Sequence, residues 1–170
     1  MHSFRDATAQ DASLISHIYA TSWRKAYRGL ISQDYLDRLP DDYWVSSVRA
    51  WLSSDRFSGL IILDDKRPVG CAIYGRGRDE DHGDWGEIVS VYLLPDATHR
   101  GLGTALMQEA LRRMRDDGFA RFYLWAIDGN AAADAFYRRL GFKVTGDHID
   151  YSIGGQNVRD IRYVKVEDQA

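Results

Sequence analysis

The sequence predicts an α/β (α+β) protein in which helices pack on a mixed central sheet. Short apolar runs alternate with helical patterns in the order strand, two helical regions, three strands, helix, strand, helix and two strands. Within this order, the strand at 86–94, the helix at 102–116 and the strand at 121–127 predict a parallel pair joined by a right-handed crossover. A chain of 170 residues is expected to form one domain, here residues 1–170.

The N-terminal third is predicted to be one strand followed by helices. Residues 2–7 form the predicted strand. Apolar residues recur at helical spacing over 11–27, with Asp11 as the expected N-cap. A second helical region covers 32–52 and is interrupted at Pro40, because proline has no N–H to continue a helix.

The remaining elements are strands and one more helix. The apolar runs 57–65 and 67–75 are joined by charged residues, which is typical of a β-hairpin. A helix is predicted at 130–140. The segments FKVTGDHI and NVRDIRYVKV are predicted as the closing strands.

Charge and apolar run length exclude several classes of partner. The net charge is −3 and the pI is about 5.9, so neither nucleic acid nor an anionic membrane is expected as a partner. The longest apolar runs, such as LIIL at 60–63, are too short to cross a bilayer, and the N-terminus has no secretory signal pattern. We therefore expect a cytoplasmic protein.

No metal site is expected. The single cysteine, Cys71, lies in a predicted strand with no nearby His–acid pair, which favours a buried structural thiol over a nucleophile. The run RDEDHGDWGE at 78–87 groups acids with His82 but lacks the spacing of an EF-hand. It is predicted to be a solvated hairpin loop.

A glycine-bearing turn precedes the helix at 102–116. A P-loop would require a lysine after the second glycine, and a dinucleotide fingerprint would require a third glycine; neither is present. Two interpretations remain for His99–Thr104. Its backbone amides bind a diphosphate at the helix N-terminus, with Arg100 adding a positive charge, or it is a strand-to-helix turn without a ligand.

A second segment, NAAADAFYRRLGF at 130–142, decides between these interpretations. It follows a strand, and Asn130, Ala133 and Tyr137 fall on one face of the predicted helix. The two helices follow parallel strands and begin at the same end of the sheet. We therefore expect a cleft between them.

Both segments resemble the GCN5-related N-acetyltransferase (GNAT) superfamily. The pattern Asn-x-x-Ala-x-x-Phe-Tyr-x-x-x-Gly-Phe is matched at every position within 130–142, and VYLLPDATHRGLGTALM at 91–107 is similar to the acetyl-CoA signature. One departure is Thr98, which stands where the family usually has Gln or Arg, unless Arg100 takes that position. The resemblance is specific over 87–142. It implies a mostly antiparallel sheet with helices on both faces.

The resemblance also implies a function and a set of binding residues. It implies an acetyl-CoA-dependent N-acetyltransferase that moves the acetyl group directly to a primary amine, with a small molecule favoured over a protein as acceptor. A noncatalytic CoA-binding module is the alternative, and a homodimer is left open. The residues expected to bind acetyl-CoA are Val91, Tyr92, Leu93, His99, Arg100, Gly101, Leu102, Gly103, Thr104, Asn130, Ala133 and Tyr137.

Four side chains are candidates for the chemistry and the acceptor site. Tyr137 matches the family's general acid, because a phenol with a pKa of ~10 stays protonated at neutral pH; alternatively it only packs. Glu87 matches the position of the family's general base and would act directly or through a water; alternatively it is a solvated residue at a strand start. Trp23 and Tyr27 lie one turn apart on the first helix, where they border the acceptor site or form a core stripe.

Overall fold

A seven-stranded mixed sheet forms the centre of the protein, whose structure, a computed structural model, describes residues 1–168. The strands are β1 His2–Ala7, β2 Phe57–Asp64, β3 Arg67–Arg76, β4 Gly86–Leu93, β5 Arg121–Ile127, β6 Lys143–Ile153 and β7 Gln156–Val166. The helices are α1 Ala12–Ala26, α2 Gln33–Arg38, α3 Val45–Ser53, α4 Leu102–Asp116 and α5 Ala131–Arg139. The strand order is β1-β2-β3-β4-β5-β7-β6, and only β4 and β5 pair in parallel. The predicted mixed, mostly antiparallel sheet is confirmed.

Helices cover both faces of the sheet, as expected. On one face, the apolar stripe of α4, including Leu106 and Met114, is fully buried against Phe122 of β5. On the other face, Ile15 and Ile18 of α1 pack with α3 on β2 and β3. Cys71 lies in this second core and is fully buried, which raises the pKa of its thiol. Its predicted burial is confirmed.

Several local features differ from the predictions. The second helical region is interrupted at Pro40 as predicted, but α3 begins only at Val45, so residues 39–44 lie outside both helices. The strand predicted to end at 149 continues to Ile153 as part of a longer hairpin with β7. Asp11 precedes α1, but its carboxylate accepts from the Thr8 N–H and from Arg5 and does not cap α1. Within the part of the chain that the structure describes, no helix is both long and apolar enough to cross a membrane.

The strands β4 and β5 stay together for only a short distance. They pair over 86–88 and 122–124, and beyond these residues β4 pairs only with β3 while β5 pairs only with β7. The β3–β4 register shifts at the same point, where Val89 is an extra residue in β4. The two strands therefore diverge and leave a V-shaped opening between 89–93 and 125–127.

The backbone of β4 has free hydrogen-bonding groups on the side of this opening. The Leu94 N–H donates to Val69 O, on the β3 side. Because successive N–H groups of a strand alternate in direction, the Leu93 and Val91 amides point into the opening. The side chain of Ser22 on α1 donates to Leu93 O.

A close backbone contact fixes the start of the β3–β4 loop. A Cβ on Gly75 would lie 2.1 Å from the carbonyl oxygen of Arg56, and backbone atoms cannot move aside cheaply. We expect Gly75→Ala to lower the free energy of unfolding by about 1–3 kcal/mol, measured by urea denaturation. Gly83→Ala is the control, because there the nearest atoms are 3.7 and 3.8 Å away. Equal stability of the two variants would contradict this packing.

Candidate active site

The glycine turn presents unpaired amides at the N-terminus of α4. His99 and Gly101 have left-handed backbone conformations, with φ of 60° and 76°. The first hydrogen bond of the helix runs from the Ala105 N–H to Gly101 O, so the N–H groups of 102–104 have no partner inside the helix. A Cβ on Gly101 would meet no atom within 4 Å. This turn is therefore open to an anion.

The other residues of the turn have different environments. Gly103 lies in the first turn of α4 and packs closely on the end of β4. A Cβ added to it would lie 3.3 Å from Leu93 Cδ1 and 3.6 Å from Phe136. Arg100 is paired with Asp64 at 2.8 Å, an ion pair across to β2. Asp64 therefore compensates part of the positive charge that Arg100 was expected to add beside the turn, and contact of Arg100 with the cofactor stays a prediction.

The helix α5 begins at an asparagine cap and carries Tyr137 toward the opening. The Asn130 Oδ1 accepts from the Ala133 N–H at 3.2 Å, so this asparagine is the N-cap of α5. Tyr137 is half-buried, and its ring centroid lies 5.3 Å from Tyr163 and 6.2 Å from Phe142. Within residues 1–168 its hydroxyl makes no hydrogen bond. Burial raises the pKa of Tyr137, and the hydroxyls of Tyr92 and Tyr163 add to the effect.

Tyr137 is therefore a protonated donor at neutral pH with a hydroxyl that has no partner in the described chain. Its ring packs, as the alternative interpretation states, but packing leaves the hydroxyl free. Tyr92 packs on the α1 layer, where its ring centroid lies 4.8 Å from that of Tyr19, whereas Tyr137 packs with the core of the other face. The two side chains therefore border the opening between β4 and β5 from opposite layers.

Aromatic side chains form a wall on the α1 side of the opening. The Trp23 Nε1 donates to the Tyr92 hydroxyl at 3.0 Å, and the Tyr27 hydroxyl lies 3.4 Å from the same oxygen. Burial raises the pKa values of Tyr27 and Tyr92. The rings of Trp23 and Trp44 lie 4.8 Å apart, so Trp23 also packs in the core. The Tyr92 N–H points toward β3 and is not available at the opening. Only the side chain of Tyr92 can therefore contribute to this site.

Glu87 is buried and fully engaged. The residue is 1% exposed, so the alternative of a solvated glutamate is wrong. Arg78 donates to both carboxylate oxygens at 2.8–3.1 Å, and the Tyr123 hydroxyl donates to Oε1 at 3.0 Å. Proton acceptance by Glu87 stays a prediction. It requires Arg78 or Tyr123 to release one oxygen.

The acid-rich segment at 78–87 includes a hairpin loop between β3 and β4, as predicted, and its Asp81 side chain is 61% exposed, but the loop is also anchored on the sheet. Arg162 of β7 is 5% exposed and forms ion pairs with Asp79 at 3.2 Å and Asp81 at 2.8 Å. The Trp125 Nε1 also donates to Asp79 at 2.8 Å. Sequence reasoning missed this anchor, because the arginine is some eighty positions away in the chain. Among the described residues no group of three metal-ligating side chains is close enough to hold a metal.

Sequence reasoning also missed Asp160 of β7. This half-buried carboxylate accepts a hydrogen bond from the Tyr151 hydroxyl at 2.9 Å, and its backbone is paired with Ile127 at the far end of β5. Burial raises the pKa of Asp160, and the Tyr151 hydrogen bond opposes that shift. Side chains two residues apart in a strand share a face, so Asp160 lies on the same face of β7 as the buried Val158. This alternation is the sequence signal that could have identified it.

Comparison with known proteins places the chain in a family. The family model described as "Acetyltransferase (GNAT) family" matches residues 16–142. That match includes most of the first helix, the glycine turn and the α5 motif. The chain belongs to the GNAT family and is an N-acetyltransferase.

Individual relatives agree with this assignment over nearly the whole chain. An uncharacterized N-acetyltransferase of Bacillus subtilis, YuaI, is 26% identical over 95% of this chain and 91% of its own length. A spermidine N(1)-acetyltransferase of Thermoplasma acidophilum is 24% identical over 82% of this chain and 87% of its own. The solved structure of the PaiA N-acetyltransferase of T. acidophilum in complex with coenzyme A has a TM-score of 0.76 and 20% identity, and covers 98% of this chain and 99% of that one.

The Arg78–Glu87 pair gives a stability prediction. Arg78→Met leaves the buried Glu87 without its main counter-charge, so we expect the free energy of unfolding to fall by about 2–3 kcal/mol, a value reduced because the Arg78 side chain is 43% exposed. Adding Glu87→Gln should recover part of the loss in the double variant. Arg67→Met is the control and should cost nothing measurable, since the Arg67–Asp96 pair is exposed. Equal behaviour of the two arginine variants in urea denaturation would contradict the prediction.

Proposed function

We propose that this N-acetyltransferase moves an acetyl group directly from acetyl-CoA to the primary amine of a small molecule. The observation that carries the proposal is the divergence of β4 from β5. It leaves the amides of Val91 and Leu93 free between the glycine turn at the start of α4 and the Tyr137 hydroxyl of α5. The helices α4 and α5 follow these two parallel strands, so both begin at the open end.

The residues at the open end fit acetyl-CoA. The unpaired N–H groups of 102–104 and the left-handed turn at 99–101 form an anion site suited to a diphosphate. We assign the free strand amides of Val91 and Leu93 to the amide-bearing pantetheine arm, with the first turn of α5, at Asn130 and Ala133, on its other side. When bound, acetyl-CoA supplies the activated acetyl group as a thioester.

The chain's own groups then promote the transfer. A free amide of β4 donates to the acetyl oxygen as negative charge develops there. The amine nitrogen bonds to the acetyl carbon and the carbon–sulfur bond breaks. Tyr137 gives its hydroxyl proton to the departing sulfur and recovers a proton from water. For the proton that the amine must lose, Glu87 acting through a water is the acceptor that the family position suggests, provided that Arg78 frees one oxygen.

The aromatic wall supports a small acceptor. Trp23 and Tyr27 converge on the Tyr92 hydroxyl at the edge of the opening, and this enclosed aromatic group suits a compact amine better than an extended polypeptide. The likeness to an enzyme named for spermidine supports an aliphatic amine in the same way. We therefore place the acceptor between the α1 layer and the open end of β4 and β5.

Charge at Gly101 should decide cofactor binding. Gly101→Asp places a negative charge at the proposed diphosphate site, while the open space around this position and the tolerance of Asp for left-handed backbone should preserve the fold. We expect acetyl-CoA to lose its stabilising effect on the Tm of this variant. Gly101→Asn is the matched control with the same shape and no charge, and should retain most of the Tm increase. Equal increases in both variants would remove the diphosphate from this turn.

Removal of one hydroxyl should separate catalysis from packing. With an amine found by screening a panel for CoA release from acetyl-CoA, we expect Tyr137→Phe to lower kcat by roughly 10²-fold, the low end for general acid catalysis. Acetyl-CoA affinity should change by no more than a few-fold, since at most one hydrogen bond of about 1 kcal/mol is lost. Wild-type kcat in a chemistry-limited assay would exclude Tyr137 as the proton donor. No CoA release with any amine would refute the proposed function.

A further inference from the structure

Asp160 differs from every other shielded acid of the described chain. Each other carboxylate that is at least partly buried within residues 1–168 forms an ion pair with an arginine. Asp160 has no basic partner there; its hydrogen bond comes from the neutral hydroxyl of Tyr151. A half-buried carboxylate without a counter-charge is costly, so a functional reason is expected.

Asp160 lies between a phenol of β6 and the aromatic side chains of the α1 layer. The Tyr151 hydroxyl donates to it from β6. Val158, on the same face of β7, and Ile127 pack in one cluster with Trp23 and Tyr27. Burial is the main cause of the raised pKa values of Tyr27 and Tyr92, and the negative charge of Asp160 raises both further. On β5 the residue paired with Asp160 is the apolar Ile127. The acid therefore faces the aromatic wall of the proposed acceptor site.

We propose that Asp160 binds the ammonium group of the acceptor, so that the substrate supplies the positive charge that the chain omits at this position. This inference rests on the proposed function and adds a substrate class to it. Tyr27 shares a cluster with Val158 and Ile127, the neighbours of Asp160, and its hydroxyl lies 3.4 Å from the Tyr92 hydroxyl at the opening. An amine held by Asp160 is thus placed at the aromatic wall, across the opening from the α5 layer that carries Tyr137.

The charge at this site also predicts which amines are rejected. An uncompensated carboxylate attracts an alkylammonium ion and repels an acceptor that carries its own carboxylate near the nitrogen. The preferred acceptors are therefore aliphatic amines without an acid group, including diamines and polyamines. Amino acids of the same chain length are expected to be poor substrates.

A matched pair of substrates tests the assignment. We expect the wild-type enzyme to acetylate 1,5-diaminopentane with a higher kcat/KM than lysine, which differs only by its α-carboxylate. Asp160→Asn should lower kcat/KM for the diamine by about 10- to 100-fold, the range for loss of a charged hydrogen bond, and should remove most of the preference over lysine. Asp150→Asn is the control, because Asp150 is exposed and pairs with Arg159 on the other face of the same hairpin.

The pH dependence gives a readout that a purely structural aspartate would not produce. Protonation of Asp160 removes its attraction for the ammonium ion, so KM for the diamine should rise as the pH falls through the raised pKa of Asp160. Tyr151→Phe removes the hydrogen bond that lowers this pKa. That variant should therefore show the same rise in KM at a higher pH, and Asp160→Asn should not show it at all.

The possible outcomes separate this inference from the function on which it rests. If the wild-type enzyme acetylates the diamine and Asp160→Asn matches it in kcat/KM, selectivity and pH profile, the assignment of Asp160 is wrong and the proposed function stands. The assignment is also wrong if wild-type lysine kcat/KM equals that of the diamine. Absence of transfer to every amine overturns both. A selective loss in Asp160→Asn with an unchanged Asp150→Asn variant supports the ammonium site.

Discussion

The divergence of β4 from β5 is the constraint on which the other features of the site depend. In a regular sheet, the backbone N–H and C=O groups of each strand form hydrogen bonds with the neighbouring strands. Here the parallel pairing of β4 with β5 ends after 86–88. The extra residue Val89 turns β4 away at that point, while β5 stays paired with β7. One result is a row of free amides in the middle of a folded domain. Another is a passage through the sheet, in which side chains from its two layers meet.

Buried and half-buried charges hold the loop that borders this passage. Glu87 binds Arg78, and Arg162 binds the acids of the same loop, so both ends of 78–87 are attached to the sheet. Such pairs contribute little net stability relative to apolar packing, but breaking one partner is costly. These ion pairs therefore hold the loop in one conformation more than they raise the stability of the protein. Asp160, which lacks a cation in the described chain, contrasts with this pattern, and we have proposed that the substrate supplies its partner.

Much of the fold could be predicted from local patterns, whereas the pairing of distant charges could not. The helix α4 spans 102–116 as predicted, since its apolar stripe repeats over four turns and a glycine precedes it. The hairpin loop at 78–87 was predicted, but the anchoring of its acids was not, because only the sheet brings Arg162 beside them. For the site, the glycine turn and α5 were recognisable from motifs. Asp160 carries no motif, and only the strand register shows that it faces inward.

The division of the site between two layers has a consequence for how such an enzyme can diversify. In the proposed assignment, the cofactor side uses α4, α5 and the backbone of β4, whereas the acceptor side uses α1 and the β6–β7 hairpin. The two sides use different elements of the fold. Side-chain replacements in α1 or the β6–β7 hairpin can therefore accumulate without disturbing the backbone amides of the anion site. Selection can then change the accepted amine in small steps while the donor chemistry is inherited intact. On this assignment, replacements in the hairpin around Tyr151 and Asp160 would change the accepted amine and leave the donor site unaltered.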